Sequence, residues 1–266
     1  MVSPATPTGG LERFTRLIGS KTVPVGEAAL AVASHLGHAH DVDAELGRLQ
    51  DLADAVPGDD LEAVVHHLFA TTGLRGDRRS YYDPANSMLP LVLDRGRGIP
   101  LTLAIIAVDV ARRRQIPATV VGMPGHVLIG DGDPPGRWVD GFAGGEWLDA
   151  LGARARFAAV HGRHAPFDPR YLQATSDASV LARLLTNLVG IFSSNGDARL
   201  LVRVHELRAA IPGLGERERS QRAAALTSVG RFSEAAELWD SEVASRGGDE
   251  AEAAGAQARQ LRANLN

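Results

Sequence analysis

The feature that most constrains this chain is a change of hydrophobic pattern near its middle. The segment LTLAIIAVDVARRRQ, which follows Pro100, is apolar along most of its length and ends in arginines. This pattern predicts a buried helix with proline in its first turn. After Pro117 come three short apolar runs, ATVVGM, HVLIGD and RWVDGF, separated by Pro-Gly turns, and their spacing predicts an antiparallel meander. The combination favours an α+β domain.

The part of the chain before this helix is predicted to be helical. Three segments have apolar residues at helical spacing: VGEAALAVASHLG, DVDAELGRLQDLADAVPG and DDLEAVVHHLFATTG. In the third, Asp59 stands three residues before Glu62, which is a capping-box arrangement, and Gly73 is placed to end the helix. Residues 1–10 are rich in turn-forming residues, and we expect them to be a disordered lead.

The last third of the chain is predicted to be all-helical and to contain an internal repeat. The segments NGDARLLVRVHEL and VGRFSEAAELWDS align on Gly196 and Gly230, which lie 34 residues apart. That period, with helix–turn–helix units, is typical of tetratricopeptide repeats. We therefore predict an α+β domain over 11–176 and helical repeats over 177–266, with a surface that binds a protein or peptide.

Composition excludes several classes of protein. The chain has no cysteine, which excludes disulfides, thiolate catalysis and cysteine metal sites. The net charge of −4 gives no indication of a nucleic-acid or membrane partner. The N-terminus lacks the pattern of a signal peptide, and the apolar run from Ile99 to Val110 is too short to span a bilayer. We expect a cytoplasmic protein.

One histidine-rich segment is a candidate metal site. HLGHAHDVD gathers three histidines and two aspartates, which are proper ligand types for zinc or nickel. Gly37 interrupts any helix that would align His35 with His38, so the spacing does not support coordination. The sequence predicts neither a metal site nor a cofactor.

Two residues of the meander suggest a catalytic constellation. His126 opens one predicted strand and Asp140 closes the next, and such a pair forms two thirds of a nucleophilic triad. The start of the helix after Pro100 could help to hold an oxyanion. The third member is missing because the chain has no thiol, and Thr102 is the nearest hydroxyl at that helix start.

With these residues in place, the chain resembles the bacterial SirB family, in which a transglutaminase-like core precedes tetratricopeptide repeats. The resemblance runs from about Gly26 to the C-terminus and implies a papain-like α+β core. Its most specific segments are Tyr82-Asp83-Pro84, Asn86-Ser87, Gly98-Ile99-Pro100, Pro124-Gly125-His126 and Asp140-Gly141-Phe142. Active transglutaminase-like enzymes carry a cysteine at the helix start with a small alanine four residues on. Ala104 matches that alanine, so Pro100 stands at the position of the cysteine.

The resemblance leaves two functions open. In the first, the protein is non-enzymatic and binds a partner through the repeats, while the old cleft binds a ligand or remains as structure. Tyr82, Asn86, Ser87 and Pro100 are the candidate binding residues, although core packing would also explain Tyr82 and turn formation would explain Asn86 and Ser87. In the second, a hydrolase or acyl transferase uses Thr102, or a water, with His126 as base and Asp140 to orient it.

Overall fold

A computed structural model describes residues 9–213, 216–245 and 248–263, which fall into two compact units that divide between Asn187 and Leu188. The first unit is mainly helical. Its helices, with the last running into the second unit, are α1 Gly10–Ile18, α2 Val25–His35, α3 Val42–Asp54, α4 Leu61–Val65, α5 Leu89–Arg95, α6 Pro100–Arg113, α7 Ala150–His161 and α8 Asp177–Asn195.

Helix α6 is the centre of the first unit. Every residue from Pro100 to Ala111 is buried, as the continuous apolar pattern predicted. The one buried charge, Asp109, is satisfied by Arg113 one turn on, whose Nε donates to Asp109 Oδ2 at 2.7 Å. Gly26 of α2 lies against the same carboxylate, since a Cβ there would be 2.5 Å from Asp109 Oδ1. The helices therefore approach closely at this point.

The described residues of this unit form two sheets. Their strands are β1 Arg75–Gly76, β2 Arg97–Gly98, β3 Ala118–Val121, β4 Leu128–Gly132, β5 Pro135–Asp140 and β6 Glu146–Leu148. Strands β3 to β6 form an antiparallel meander in chain order, with Val121 opposite Leu128 and Ile129 opposite Val139. The predicted meander is confirmed. Strands β1 and β2 form a separate parallel pair, which the sequence pattern did not predict.

Several local predictions need correction. His126 does not open a strand, because β4 begins at Leu128. The N-cap of α4 is Asp60, whose side chain accepts from Ala63 N at 2.8 Å, so the capping box built on Asp59 is wrong. The predicted single helix also changes to π-helical geometry over His66–Thr71. Residues 1–8 of the predicted lead lie outside the described residues, and Gly10 already belongs to α1.

The second unit is helical in all the parts that the structure describes. After the end of α8, it contains α9 Ala198–Ala209, α10 Glu216–Ser228, α11 Phe232–Ser245 and α12 Gly248–Ala263. Gly196 and Gly230 have φ of +71° and +76°, so each occupies the left-handed conformation that suits glycine between two helices. The core of this unit is rich in alanine and small residues: Val202, Ala223, Ala225, Leu226, Ala235, Ala236, Ala258 and Leu261.

The helix lengths and hydropathies can be set against the thickness of a bilayer. Within the described ranges, no helix combines enough length with enough apolar character to cross a membrane.

Candidate functional site

His126 lies in a turn between β3 and β4 that is held from two sides. Gly125 has φ of +76° and approaches α7 so closely that a Cβ would be 2.7 Å from Val160 Cγ1. Arg183 of α8 donates to Met123 O and to His126 O, both at 3.1 Å. These contacts fix the backbone of His126, whose side chain is 14% exposed.

Asp140 ends β5 and faces His126 across the sheet. Asp140 Oδ2 is 3.0 Å from His126 Nε2. The angles at this contact fall outside those of a well-formed hydrogen bond, so we treat it as chiefly electrostatic. The other ring nitrogen, Nδ1, has no hydrogen-bond partner in the described part of the chain. An acid at one ring nitrogen with the other left free is the arrangement that a general base needs.

The carboxylate of Asp140 has two further partners. Its Oδ1 accepts from Ala143 N at 3.0 Å, which caps the short 3₁₀ turn Gly141–Ala143, and its Oδ2 accepts from Arg156 Nε at 2.9 Å. Burial alone would raise the pKa of Asp140, but the His126 imidazole, the Ala143 N–H and the Arg156 guanidinium together hold that pKa below its ordinary value. Asp140 is therefore a stable anion in the folded protein.

The hydroxyl at the start of α6 is engaged elsewhere. Thr102 is fully buried, and its Oγ1 donates to Asn86 O at 2.7 Å and lies 3.1 Å from Ile99 O. Both partners are backbone carbonyls, and no hydrogen bond joins Thr102 to His126 among the described residues. Pro100, where the resemblance predicts the cysteine position, is the first residue of α6 and is buried. This helix start therefore presents no nucleophile that is bonded to a base.

Asn86 and Ser87 are buried beside this helix start. Asn86 Nδ2 donates to Ser80 O at 2.7 Å and approaches Asp77 Oδ2 at 3.4 Å. Asn86 Oδ1 and Ser87 Oγ are buried without a protein partner in the described residues. The turn itself is capped by Asp83, which accepts from Ala85 N, so capping does not account for Asn86 or Ser87. Unpaired buried polar atoms are rare in folded proteins, so turn formation alone does not explain these two side chains.

Tyr82 does not belong to the core, so the interpretation of Tyr82 as a packing residue is wrong. Its side chain is 77% exposed. It meets Tyr81 edge to face at 5.2 Å between ring centroids, and Tyr81 meets Phe142 in the same way at 5.8 Å. An aromatic surface of Tyr81, Tyr82 and Phe142 therefore begins two residues after Asp140.

Sequence reasoning missed two arginines that support this site. Arg156 reaches Asp140 from α7 and also pairs with Glu146 of β6. Arg183 reaches the His126 turn from α8, and burial lowers the pKa of its guanidinium. Each comes from a helix distant in sequence, and the chain is rich in arginine. Only the position of Arg156 on the helix after β6 offered a signal, and that signal is weak.

The histidine-rich segment gives no cluster of ligands. His40 Nδ1 is 3.0 Å from His38 O, so that nitrogen is already bonded to the backbone. Across the described residues, no three histidine, aspartate or glutamate side chains converge in a way that could hold a metal ion.

The chain is similar to a known protein family and to two bacterial proteins. The family model described as "Transglutaminase-like superfamily" matches residues 36–186. The "UPF0162 protein" of Xylella fastidiosa is 38% identical over 138 residues, which is 50% of this chain and 49% of that protein. A UPF0162 protein of Pseudomonas aeruginosa is 33% identical over 114 residues, 43% of this chain and 42% of that protein.

A eukaryotic relative matches a shorter segment. "F-box only protein 21" of Mus musculus is 29% identical over 99 residues, which is 35% of this chain and 15% of that protein. The chain spans about half the length or less of the bacterial relatives named above. No solved structure matches it. Because the family model covers more than half of the chain and includes His126 and Asp140, the chain belongs to the transglutaminase-like superfamily.

Proposed function

We propose that this chain is a transglutaminase-like protein of the SirB type that binds a protein or peptide and does not transfer acyl groups. The proposal rests on the first turn of α6, which has no nucleophile bonded to a base in the described residues. Pro100 replaces the nucleophile, and the Thr102 hydroxyl is bonded to two backbone carbonyls instead of a base. A threonine nucleophile needs a base within hydrogen-bond reach, and Thr102 has none in the described residues.

The binding role is proposed for the helical tail. Its turns at Gly196 and Gly230 share one conformation at a spacing of 34 residues, which supports tetratricopeptide-like repeats. A pocket of about 580 Å³ lies beside both turns and is lined by Asn195, Arg199 and Ser228. Such repeats commonly bind partners on the surface that they share.

Activity assays separate this proposal from the enzymatic alternative. One observation favours the alternative: His126 and Asp140 remain paired, with Nδ1 of His126 free for a water. We expect the wild-type protein to release no product from fluorogenic ester and amide substrates. Turnover that disappears in His126→Ala would establish a hydrolase and overturn the proposal.

A single-cysteine variant tests whether the site is a degenerate thiol site. Because the chain has no cysteine, Pro100→Cys carries one thiol, placed at the N-terminus of α6. A helix N-terminus lowers a thiol pKa, and so does an imidazole that lies beside the thiol. If His126 serves this position, iodoacetamide should alkylate Pro100→Cys at neutral pH faster than it alkylates Pro100→Cys/His126→Ala. Equal rates in the two variants would show that His126 does not serve this position.

Binding by the tail is tested by affinity capture with matched baits. We expect the wild-type bait to retain a specific protein that the Asn195→Ala/Arg199→Ala bait loses. Arg259→Ala, an exposed change on α12, is the control bait and should retain the partner. Capture that is the same with all three baits would count against the tail as the binding surface.

A further inference from the structure

A second pocket, in the first unit, is dominated by arginine. It has a volume of about 490 Å³ and is lined by Arg75, Arg78, Arg79 and Arg97, with Phe142 as its aromatic wall. Sites for small ligands and ligand fragments have volumes of roughly 300–1,000 Å³. We call this feature the arginine pocket. His126 and Asp140 do not line it.

The fold places the positive charges together. Strands β1 and β2 pair in parallel with Arg75 opposite Arg97, and Arg78 and Arg79 follow β1 after one intervening residue. Like charges opposite each other in a sheet are destabilising. A bound anion would remove this repulsion, so the free protein is already arranged for one.

Three of these arginines have no counter-ion in the part of the chain that the structure describes. Within the described ranges, no carboxylate lies within 4.0 Å of the Arg75, Arg79 or Arg97 guanidinium, although most other arginines of this unit have such partners. The one acid in the wall, Asp77, is 4% exposed and accepts from the backbone N–H groups of Arg79 and Ser80. Its carboxylate is therefore already committed within the protein.

One of the arginines links the charge to an aromatic surface. The Arg78 guanidinium lies 5.8 Å from the centroid of the Phe142 ring, a cation–π distance. Phe142 contacts Tyr81, which contacts the exposed Tyr82. Surfaces that combine arginine with tyrosine and phenylalanine are enriched where proteins bind proteins.

We propose that the arginine pocket binds the carboxylates of an acidic peptide segment, with the neighbouring tyrosines contacting the peptide beside them. Guanidinium groups match carboxylates in a two-pronged geometry. Single-stranded nucleic acid would need a basic groove that follows several phosphates. Here the cations come from two short segments around one pocket, and the whole chain has a net charge of −4. These observations favour a peptide.

This proposal is separate from binding by the helical tail, because all lining residues belong to the first unit. The test is fluorescence anisotropy of labelled hexaglutamate with the full chain at low salt. We expect saturable binding that weakens as salt is added, since the contacts are ionic. We expect Arg75→Gln/Arg97→Gln to weaken binding about tenfold or more, which corresponds to losing about 1.4 kcal/mol of binding free energy.

The matched control is Arg154→Gln/Arg163→Gln, which changes the net charge equally at two exposed arginines outside the pocket. It should bind hexaglutamate within about twofold of wild type, a difference below 0.5 kcal/mol. The unfolding midpoint of Arg75→Gln/Arg97→Gln should equal or exceed that of wild type, because one pair of like charges is removed. This second measurement separates lost binding from lost folding.

Three results would overturn the proposal. They are equal loss of binding in both double variants, equal binding of hexaglutamine and hexaglutamate, and tighter binding of a single-stranded oligonucleotide than of hexaglutamate at the same salt concentration. If the pocket variant does not fold, thermal stabilisation of the wild-type protein by hexaglutamate, absent with hexaglutamine, decides the question. None of these measurements depends on the tail.

Discussion

At the scale of single residues, Asp140 and Thr102 differ in their partners: the carboxylate contacts the candidate base, and the hydroxyl does not. Asp140 serves His126, Arg156 and Ala143 N–H at once, and this environment keeps it ionised. The Thr102 hydroxyl, at the start of α6, donates its hydrogen bond to the backbone carbonyl of Asn86. His126 and Asp140 lie together, whereas the Thr102 hydroxyl is bonded to backbone carbonyls and not to His126. Each half of this contrast can be tested by one substitution.

Asp140→Asn tests how much the negative charge of Asp140 contributes to the stability of the fold. At neutral pH we expect the free energy of unfolding of the variant to be about 1–3 kcal/mol lower than that of wild type, because Arg156 loses its bond to the buried carboxylate of Asp140. The folded pKa of Asp140 lies below its unfolded value, so its stabilisation is full above the unfolded value and disappears as pH falls through the folded one. The stability difference between wild type and variant should therefore shrink with acidification in urea unfolding. A difference that is constant with pH would contradict this assignment.

Thr102→Val tests whether the hydroxyl is structural. The substitution keeps the side-chain shape but leaves Asn86 O with only its long bond from Ile99 N, at 3.4 Å. We expect a loss of about 1–3 kcal/mol in the free energy of unfolding. Thr119→Val is the matched control, because Thr119 is also buried and makes only a 3.4 Å contact with Gly132 O. Equal decreases in the free energy of unfolding of the two variants would show that the bond from Thr102 to Asn86 O has no special role in stability.

At the scale of elements, long patterns were predictable and short ones were not. The apolar run after Pro100 predicted α6, and three β-rich runs predicted β3 to β5, because each covers several residues of one period. Strands β1 and β2 have two residues each, too few to show a period. Their pairing of Arg75 with Arg97 is set by the folding of distant segments, so the arginine pocket could not be read from the sequence.

The site shows the same limit at closer range. His126 precedes β4 and Asp140 ends β5, and these strands are neighbours in the meander, so the closeness of the two residues was predictable. Arg156 and Arg183 reach the site from α7 and α8. How these helices pack depends on tertiary structure, which the local sequence pattern does not reveal. Tyr82 was misplaced because an aromatic residue is more often packed than exposed, and only the structure places it at the surface.

The close approach of α2 to α6 gives an element-scale prediction. Gly26→Ala would place a Cβ 2.5 Å from Asp109 Oδ1, so α2 must move or the Asp109–Arg113 pair must shift. We expect a loss of about 1–3 kcal/mol in stability, typical of overpacking. Gly47→Ala in α3, where nothing lies within 4 Å of the new Cβ, should instead gain up to about 1 kcal/mol from helix propensity. Thermal unfolding of both variants checks the contrast, and a neutral Gly26→Ala would refute the tight contact.

At the scale of the whole molecule, two units carry different proposals. The family match at 36–186 covers most of the first unit and stops at the boundary of the second. The first unit holds the His126–Asp140 site and the arginine pocket, and the second holds the proposed repeat surface. Units with separate cores commonly unfold as separate cooperative bodies. A change confined to the second core should therefore leave the first one protected.

Glu218 in the tail allows this separation to be tested. Burial would raise its pKa, but bonds from His205 and Arg208 lower that pKa from 4.5 to about 2. Its stabilisation should then be complete above about pH 4.5 and be lost between that value and about pH 2. We expect Glu218→Gln to speed hydrogen exchange in α9 and α10 at neutral pH, while β3 to β5 keep wild-type protection.

The exposed Glu252→Gln is the control and should leave both units unchanged. On acidification towards pH 2, exchange in α9 and α10 of the wild-type protein should approach that of Glu218→Gln, because protonation removes the same anion. Faster exchange in β3 to β5 of Glu218→Gln would mean that the two units unfold together. The tail would then contribute to the stability of the His126–Asp140 site, and its binding surface could not be altered without affecting that site.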